Sequence, residues 1–323
     1  MTTASPEAMA PGPAAAGASA SRSPSSLFWS RLRRKRLAML SLVVIAVIYG
    51  GGILAPVLAP YSFTEQNLDR GLEGPSREHW LGTDRLGRDM YSRTLYSART
   101  TLVVSVAVLV SGSLLIGNGL GLLAGYRGGW VDNLIMRAGE VLSALPGLPM
   151  LILVNAALGP RIIQFGGWVE QHTPFGGIAG PFSSYLTVFG VLSLFFWVGT
   201  ARLVRAQVLQ LREREFVLAA QALGGGTIHI LWQHLLPNVA FLVVLQLSAT
   251  LGSVAGSEVA LTWFGVGVQP PTPSFGAMIF EGSGARTFAQ HPHLLLVPGL
   301  CVSALLFAFA LLGDAINDVI RGR

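Results

Sequence analysis

The side chains that could take part in chemistry are few and widely separated. Glu258 lies late in an apolar run, within SEVALTWFGVG. A carboxyl group is expensive to bury in an apolar environment without a partner, so a carboxyl inside such a run is a candidate for function. The structural alternative is that Glu258 hydrogen-bonds to a neighbouring helix.

The two histidines of the HPH pair, His291 and His293, are the other candidates, because neutral imidazole is a good ligand for nickel. No His, Cys or carboxylate partners converge on them in the sequence, so solvent-exposed or packing histidines are favoured and no metal site is predicted. Cys301 is the single cysteine, which excludes a disulfide within the chain, and its apolar surroundings indicate a small packing residue.

Catalytic motifs are missing from the sequence. The phosphate-binding pattern G-x-x-x-x-G-K-[ST] does not occur. An intramembrane hydrolase would need a Ser-His, Asp-Asp or His-Glu constellation within apolar runs, and the histidines lie outside them. We therefore predict that the chain is not an enzyme and binds no cofactor, so any ATP and Mg²⁺ must be used by partner chains.

The composition is that of a membrane protein. Apolar residues make up 51% of the chain and charged residues only 12%, about half of the roughly 25% found in soluble domains. Six apolar runs approach or exceed the roughly 20 residues that a spanning helix needs. They lie near residues 37–58, 101–125, 139–158, 185–203, 239–262 and 294–313.

The positive charges indicate the orientation of these spans. A basic cluster at residues 31–36 precedes the first run and is typical of the cytoplasmic side, so six spans leave both termini inside. A cleaved signal peptide is the alternative, with Ala55 and Ala59 as small residues after the run, but the run is longer than a signal core. The net charge of +6 does not indicate nucleic acid, because the basic residues flank membrane segments.

Two further patterns concern the organisation of the chain. Residues 1–26 are rich in Ala, Pro, Ser and Gly, which predicts a disordered tail. Gly117, Gly121 and Gly125 recur every four residues in the second run, which predicts close packing of another helix rather than a solute contact.

A polar stretch at residues 212–238 interrupts the apolar runs and falls on the cytoplasmic side. Within it, FVLAAQAL predicts a short helix with a small apolar face, and the glycines at 224–226 end it. Thr227 is predicted to cap a second short helix that ends before Pro237. We call residues 212–238 the elbow and predict that it docks a soluble partner. The residues assigned to this contact are Phe216, Ala219, Ala220, Leu223, Gly224, Leu236 and Pro237.

The elbow resembles the "EAA" loop of ABC importer permeases. The Ala-Ala, Gly and Leu-Pro of that loop match Ala219-Ala220, Gly224 and Leu236-Pro237. The family usually has Glu where this chain has Leu218, so a salt bridge made by that Glu is not carried over.

Four further motifs resemble one branch of that family, the C-type permease subunits of dipeptide, oligopeptide and nickel ABC importers. They are LGTDRLGRDMYSRTLYSART at 81–100, GYRGGWVDNLIMR at 125–137, WFGVGVQPPTPSFGAMI at 263–279 and LLGDAINDVIRGR at 311–323. The resemblance implies an all-α polytopic membrane protein with six transmembrane helices, the type I permease fold and a cytoplasmic coupling helix. It implies the bacterial or archaeal plasma membrane as location.

The resemblance divides the chain into four parts. These are a disordered cytoplasmic tail (1–26), the first span with its outer loop (27–98), the permease core (99–313) and a cytoplasmic C-terminus (314–323). The implied partners are a homologous B-type permease subunit, two ABC ATPase subunits and an extracytoplasmic peptide-binding protein, besides membrane lipid. The family commonly has a Glu at the position of Glu258, which makes Glu258 the candidate for the translocation path.

The polar motifs outside the elbow are interpreted as structural. Local pairing of Arg and Asp is expected in the LGTDRLGRD loop, and the QPPTP run predicts a stiff, extended outer loop. Asp314 and Asp318 are expected to pair with Arg321 and Arg323 at the inner end of the last helix. The segment at 158–184 is longer than the connection that the family usually has.

The function predicted is that of a permease subunit of an ATP-driven importer of di- or oligopeptides, which forms half of a translocation path. The cargo is not determined by the sequence, and a nickel or other small-solute importer is the alternative. A secondary transporter would need an internal repeat and paired interrupted helices, which are not found.

Overall fold

The computed structural model describes residues 24–144, 146–172 and 176–321, and these form helices and loops without a β-strand. The predicted tail lies outside them up to residue 23. The helices are α1 (Pro24–Arg34), α2 (Arg36–Ile53), α3 (Ala55–Leu58), α4 (Met90–Val108), α5 (Asn118–Arg127), α6 (Gly129–Ala144), α7 (Gly147–His172), α8 (Gly176–Leu211), α9 (Glu215–Ala222), α10 (Thr227–His229), α11 (Leu236–Trp263), α12 (Phe275–Gly282), α13 (Ala285–Gln290) and α14 (His293–Arg321). A 3₁₀ turn covers Leu68–Arg70, and π-helical turns cover Leu109–Gly117 and Ile230–Leu235.

Among the described residues, five helical stretches are long and apolar enough to cross a membrane. They are Arg36–Ile53, Met90–Arg127, Gly147–Phe165, Tyr185–Leu211 and His293–Val319. The fifth predicted span corresponds to α11, a continuous helix of 28 residues. At about 1.5 Å per residue α11 is long enough to cross a membrane.

The third predicted span is displaced along the sequence. The run at 139–158 is divided between α6 and α7, and the apolar stretch begins at Gly147. Pro146 follows the end of α6, and a proline disfavours a helical conformation of the residue before it. Much of the segment at 158–184 continues α7 to His172 and begins α8 at Gly176, so helices replace most of the predicted connection.

The glycine stripe packs against α8, as predicted. A Cβ atom on Gly121 would lie 2.8 Å from the carbonyl oxygen of Ala201 and 2.8 Å from Cβ of Val204. Real Cβ atoms do not approach backbone so closely, so only glycine permits this contact. The π-helical turn preceding α5 brings Ser111 to α8, where its hydroxyl lies 2.6 Å from that of Ser193.

The loop that connects α3 to α4, predicted above to be the first outer loop, is fastened to α12 by a buried ion network. Arg93 donates to Asp84 and, over 2.6 Å, to Glu281, while Arg88 donates to Asp84 over 2.5 Å and to Glu281 over 3.2 Å. The expected local pair, Asp84 with Arg88, is present, and Glu281 adds a partner 188 residues away from Arg93. The two outer segments are therefore held as one unit.

A second buried contact lies at the base of the same loop. The Nδ1 atom of His79 lies 3.0 Å from Oδ1 of Asp89, and Asp89 caps α4 by accepting from the Ser92 amide over 2.7 Å. On the solvent side of the loop, hydrogen bonding to Arg70 lowers the pKa of Glu78. At the inner end predicted for the last helix, Asp318 pairs with Lys35 at 2.7 Å, because α1 and α2 meet beside α14. The side chains of the predicted partners Arg321 and Arg323 lie outside the described residues.

Arg93→Met should destabilise the chain strongly. The substitution removes the buried guanidinium that joins Asp84 to Glu281 and leaves Arg88 as the remaining partner of Asp84, at a cost of about 1–3 kcal/mol. We expect a lower melting temperature of the purified chain in detergent. Arg137→Met is the control, since the Arg137–Glu140 pair is exposed. Equal melting temperatures of the two variants would contradict this account of the network.

Candidate functional site

The elbow begins with a short helix that ends at glycine. α9 extends over Glu215–Ala222, and Arg214 precedes it with an extended backbone. Gly224 has φ +82°, in the left-handed region that favours glycine, and the Gly225 amide donates to the Ala220 carbonyl over 2.9 Å. The position of Gly224 is thus required by the backbone conformation of the turn.

The two sides of α9 differ in exposure. Val217 is fully buried and Ala220 half-buried, packed with Ile230 and Leu235 between the C-terminal end of α8 and the N-terminal end of α11. The opposite side carries Phe216 and Ala219, which are exposed. Leu223 follows on that side with 89% of its surface exposed, a large fraction for a leucine.

The residues predicted to form one partner contact therefore lie on different sides of the elbow. Phe216, Ala219 and Leu223 share the exposed side, whereas Ala220 is turned toward the bundle, because successive helical residues are about 100° apart. Leu236 is half-buried against the same cluster as Val217, and Pro237 is exposed. The apolar surface that remains open is therefore formed by the first three.

The second half of the elbow differs from the prediction. Thr227 does not cap the helix, because Gly226 occupies the cap position and no side chain bonds there. The helix also does not end before Pro237. It continues from α10 through the π-helical turn Ile230–Leu235 into α11, with the proline in its first turn. The π-helical turn changes the hydrogen-bond register directly before Pro237, which lacks the amide that a regular helix would need at that position.

Two exposed apolar residues of the elbow were not singled out in the sequence. Ile228 and Trp232 are spaced by four residues and have exposed fractions of 74% and 65%. Helical spacing of two large apolar residues in a polar segment was the available signal. Together with Phe216, Ala219 and Leu223 they make the elbow an apolar surface outside the spans.

A cleft of about 460 Å³ opens between α7, α8 and α11. Leu148, Leu151, Phe195 and Phe196 supply apolar lining, and α11 contributes a polar stripe. The stripe consists of Gln246, Thr250, Ser253 and Ser257. Its spacing of four, three and four residues keeps the side chains on one face of the helix, and this periodicity was visible in the sequence. None of the residues that line the cleft carries a charge.

Glu258 is not among the residues that line this cleft. It is fully buried, and its Oε2 atom accepts from Oγ1 of Thr101 on α4 over 2.8 Å. Its Oε1 atom accepts from Oγ1 of Thr262 on α11 over 3.2 Å. The structure thus places Glu258 between helices, in the position described by the structural alternative.

Thr262 extends this contact to the turn after α11. Its hydroxyl oxygen accepts from the Val268 amide over 3.1 Å, so a chain of hydrogen bonds joins α4 to the turn through Glu258. Asn155 of α7 donates to the Val266 carbonyl of the same turn. The turn that precedes the proline-rich run is therefore held from two sides.

The histidine pair lies between α13 and the start of α14. The ring centroids of His291 and His293 are 6.1 Å apart, and the His293 ring packs against Gly82 of the first outer loop. In the part of the chain that the structure describes, no group of three or more His, Cys, Asp or Glu side chains could hold a metal ion.

The chain belongs to a known family of membrane transport proteins. The family described as "Binding-protein-dependent transport system inner membrane component" matches residues 117–323, and the "N-terminal TM domain of oligopeptide transport permease C" matches residues 23–75. The first match covers more than half of the chain, so the chain is a multi-pass permease subunit of the inner membrane component family.

Curated relatives agree with this assignment over nearly the whole chain. The dipeptide transport system permease protein DppC of Bacillus subtilis is 36% identical over 293 residues, which cover 90% of this chain and 83% of that protein. The oligopeptide transport system permease protein OppC of the same organism is 34% identical over 90% of this chain and 87% of its own length. The glutathione transport system permease protein GsiD of Escherichia coli is 36% identical over 93% and 90%.

Glu258→Leu should destabilise the bundle, whereas Glu258→Gln should preserve it. Leucine removes both acceptors and leaves the hydroxyls of Thr101 and Thr262 in an apolar setting, at a cost of about 1–3 kcal/mol. Glutamine keeps the shape and one acceptor. We expect a lower melting temperature for Glu258→Leu and near wild-type assembly and uptake for Glu258→Gln. A Gln variant that assembles normally but takes up no solute would instead assign Glu258 to the path.

Proposed function

We propose that the chain is one of two permease subunits of an ATP-driven importer of peptides. The observation that carries this proposal is the elbow. Its exposed apolar side has the character of a contact surface for a soluble protein, while its opposite side is packed into the helix bundle. In the proposed topology both termini and the elbow are cytoplasmic, where ATPase subunits have access to it.

The packing of the elbow supports a coupling role. Val217 belongs to the same buried cluster as Val204 and Val208 of α8 and Val239 of α11. A displacement of α9 by an ATPase would therefore act directly on two of the helices that border the cleft. Conversely, a change in the separation of α8 and α11 would move the elbow.

The cleft is proposed as one wall of the translocation path. It is open on one side, and a homologous B-type permease subunit would supply the facing wall. Hydroxyl and amide groups, such as those of Thr250, Ser257 and Gln246, donate to and accept from peptide groups without selecting for charge. The names of the relatives, which transport dipeptides, oligopeptides and glutathione, support a peptide cargo.

The remaining partners follow from the same proposal. Two ABC ATPase subunits would bind and hydrolyse ATP with Mg²⁺, and an extracytoplasmic binding protein would deliver the peptide to the outer side. A nickel or other small-solute importer is the alternative, for which the uncharged cleft supplies no cation ligand beyond hydroxyl and amide oxygens.

Ala219→Arg should abolish coupling without preventing insertion. Ala219 is exposed beside Phe216 and Leu223, so a long charged side chain there would keep an ATPase surface from close contact. Gln221→Arg is the control on another side of α9. We expect loss of ATPase co-purification and of ATP-driven peptide uptake in proteoliposomes for Ala219→Arg alone.

Gly224→Val tests the direction of the elbow. Valine at φ +82° is strained by about 1–2 kcal/mol, so the turn should open and misdirect α9 relative to α11. This variant should also lose ATPase co-purification while the chain remains in the membrane. Wild-type ATPase retention and uptake in both the Ala219→Arg and Gly224→Val variants would show that the segment is only a connection.

Thr250→Trp should block the path and leave assembly intact. Thr250 lies in the middle of the polar stripe, and a tryptophan would occupy a large part of the cleft. Val47→Trp is the control, because Val47 is exposed on α2 and does not line the cleft. We expect peptide uptake to fall at least tenfold only in Thr250→Trp, with ATPase subunits retained. Unchanged uptake would remove the cleft from the proposed path.

A further inference from the structure

The helix that precedes the first span is held beside the end of the last one. Lys35, between α1 and α2, has an extended backbone with φ −88° and ψ 106°, so the chain changes direction there. Leu32 is buried and Phe28 partly buried against Ala315 and Val319 of α14. α1 therefore lies against the last turns of α14, at the end of the bundle that the proposed topology places at the cytoplasmic surface.

Three arginines and a tryptophan make up much of the exposed surface of α1 among its described side chains. Arg31, Arg33 and Arg34 are exposed, and Trp29 is half exposed. A helix with apolar packing on one side, cationic groups on the other and a tryptophan near the boundary is typical of a helix in the plane of a membrane interface.

The positive charge of this surface is largely uncompensated. No acidic residue occurs between residues 24 and 64. Lys35 pairs with Asp318 of α14 at 2.7 Å. Among the described residues no acidic side chain forms an ion pair with Arg31, Arg33 or Arg34, and Arg36 at the start of α2 is exposed as well. Guanidinium groups remain charged at all physiological pH values.

We propose that this basic side of α1 is a binding surface for anionic phospholipid headgroups of the inner leaflet. Arginine forms bidentate hydrogen bonds with phosphate oxygens, and basic clusters directly cytoplasmic of a span are attracted to anionic lipid. Because Leu32 and Lys35 fasten α1 to α14, a bound lipid would hold the first and last spans together. The proposal concerns lipid alone and does not depend on the cargo or on the ATPase contact.

Native mass spectrometry of the purified full chain tests the proposal. The chain is titrated in detergent with phosphatidylglycerol and, in parallel, with phosphatidylcholine. The test variant is Arg31→Gln/Arg33→Gln/Arg34→Gln. One control places Lys at the same three positions and keeps the charge, and a second is Arg77→Gln in the outer loop, where Arg77 is exposed.

We expect the Gln variant to bind phosphatidylglycerol about a hundredfold more weakly and phosphatidylcholine with unchanged affinity, because each of the three interfacial charges contributes about fivefold. The Lys variant and Arg77→Gln should stay within about threefold of wild type. Unchanged phosphatidylglycerol affinity in the Gln variant, or equal loss for both lipids, would overturn the proposal. So would displacement of the lipid by millimolar inorganic phosphate, which would indicate a site for free phosphate. Retained lipid with lost ATPase co-purification would assign the arginines to a protein contact instead.

Discussion

The burial of Val217 between the C-terminal end of α8 and the N-terminal end of α11 is the contact on which the arrangement of the elbow depends. A polar segment that joins two spanning helices could be a mobile loop, since its amides can bond to water. Here one apolar side chain is completely enclosed with Ile230 and Leu235, and this fixes the rotation of α9. Phe216, Ala219 and Leu223 then have to point away from the bundle. The exposed apolar surface is thus a consequence of a buried one.

The cost of leaving polar groups without partners in a bilayer explains how the polar side chains of α11 are arranged. In a bilayer each unsatisfied polar group is costly, so polar side chains of a spanning helix face protein or a cavity. α11 has two such faces. One faces the cleft with Thr250 and Ser257, and the other directs Glu258 to Thr101 on α4. Because the cleft stripe and the buried carboxyl lie on different faces, α11 can line the cleft and remain fixed to the bundle.

Much of the fold was predictable from the sequence because each membrane-spanning helix requires a long continuous run of apolar residues. The first, second, fourth and sixth runs correspond to helices that are long and apolar enough to cross a membrane. The glycine stripe packs against α8. The predicted position of the third span was wrong, because hydropathy alone does not show that α6 and α7 are separate helices on either side of Pro146. The helix predicted to end before Pro237 continues, because a π-helical turn accommodates the proline at a place where apolar periodicity carries no information.

The site was predictable in part. Gly224 and the exposed side of α9 follow from residue type and spacing, but Ala219 and Ala220 could not be told apart, since adjacent alanines carry no sign of which one faces the core. Glu258 was named as a candidate because it is the only carboxyl in its apolar run. The uncharged stripe that includes Thr250 and Ser257 was not named from the sequence. Long-range partners such as Glu281 for Arg93 were beyond reach, because contacts over 188 residues depend on the assembled bundle.

The most direct measurement of the central claim is site-specific photo-crosslinking from the elbow in intact membranes that contain the whole importer. A crosslinking amino acid is placed at Ala219 or, as a comparison on another side of α9, at Gln221. The account predicts that position 219 crosslinks to an ATPase subunit and position 221 does so far less. Equal crosslinking from both positions, or crosslinks from 219 only to lipid or to proteins outside the cytoplasm, would contradict it.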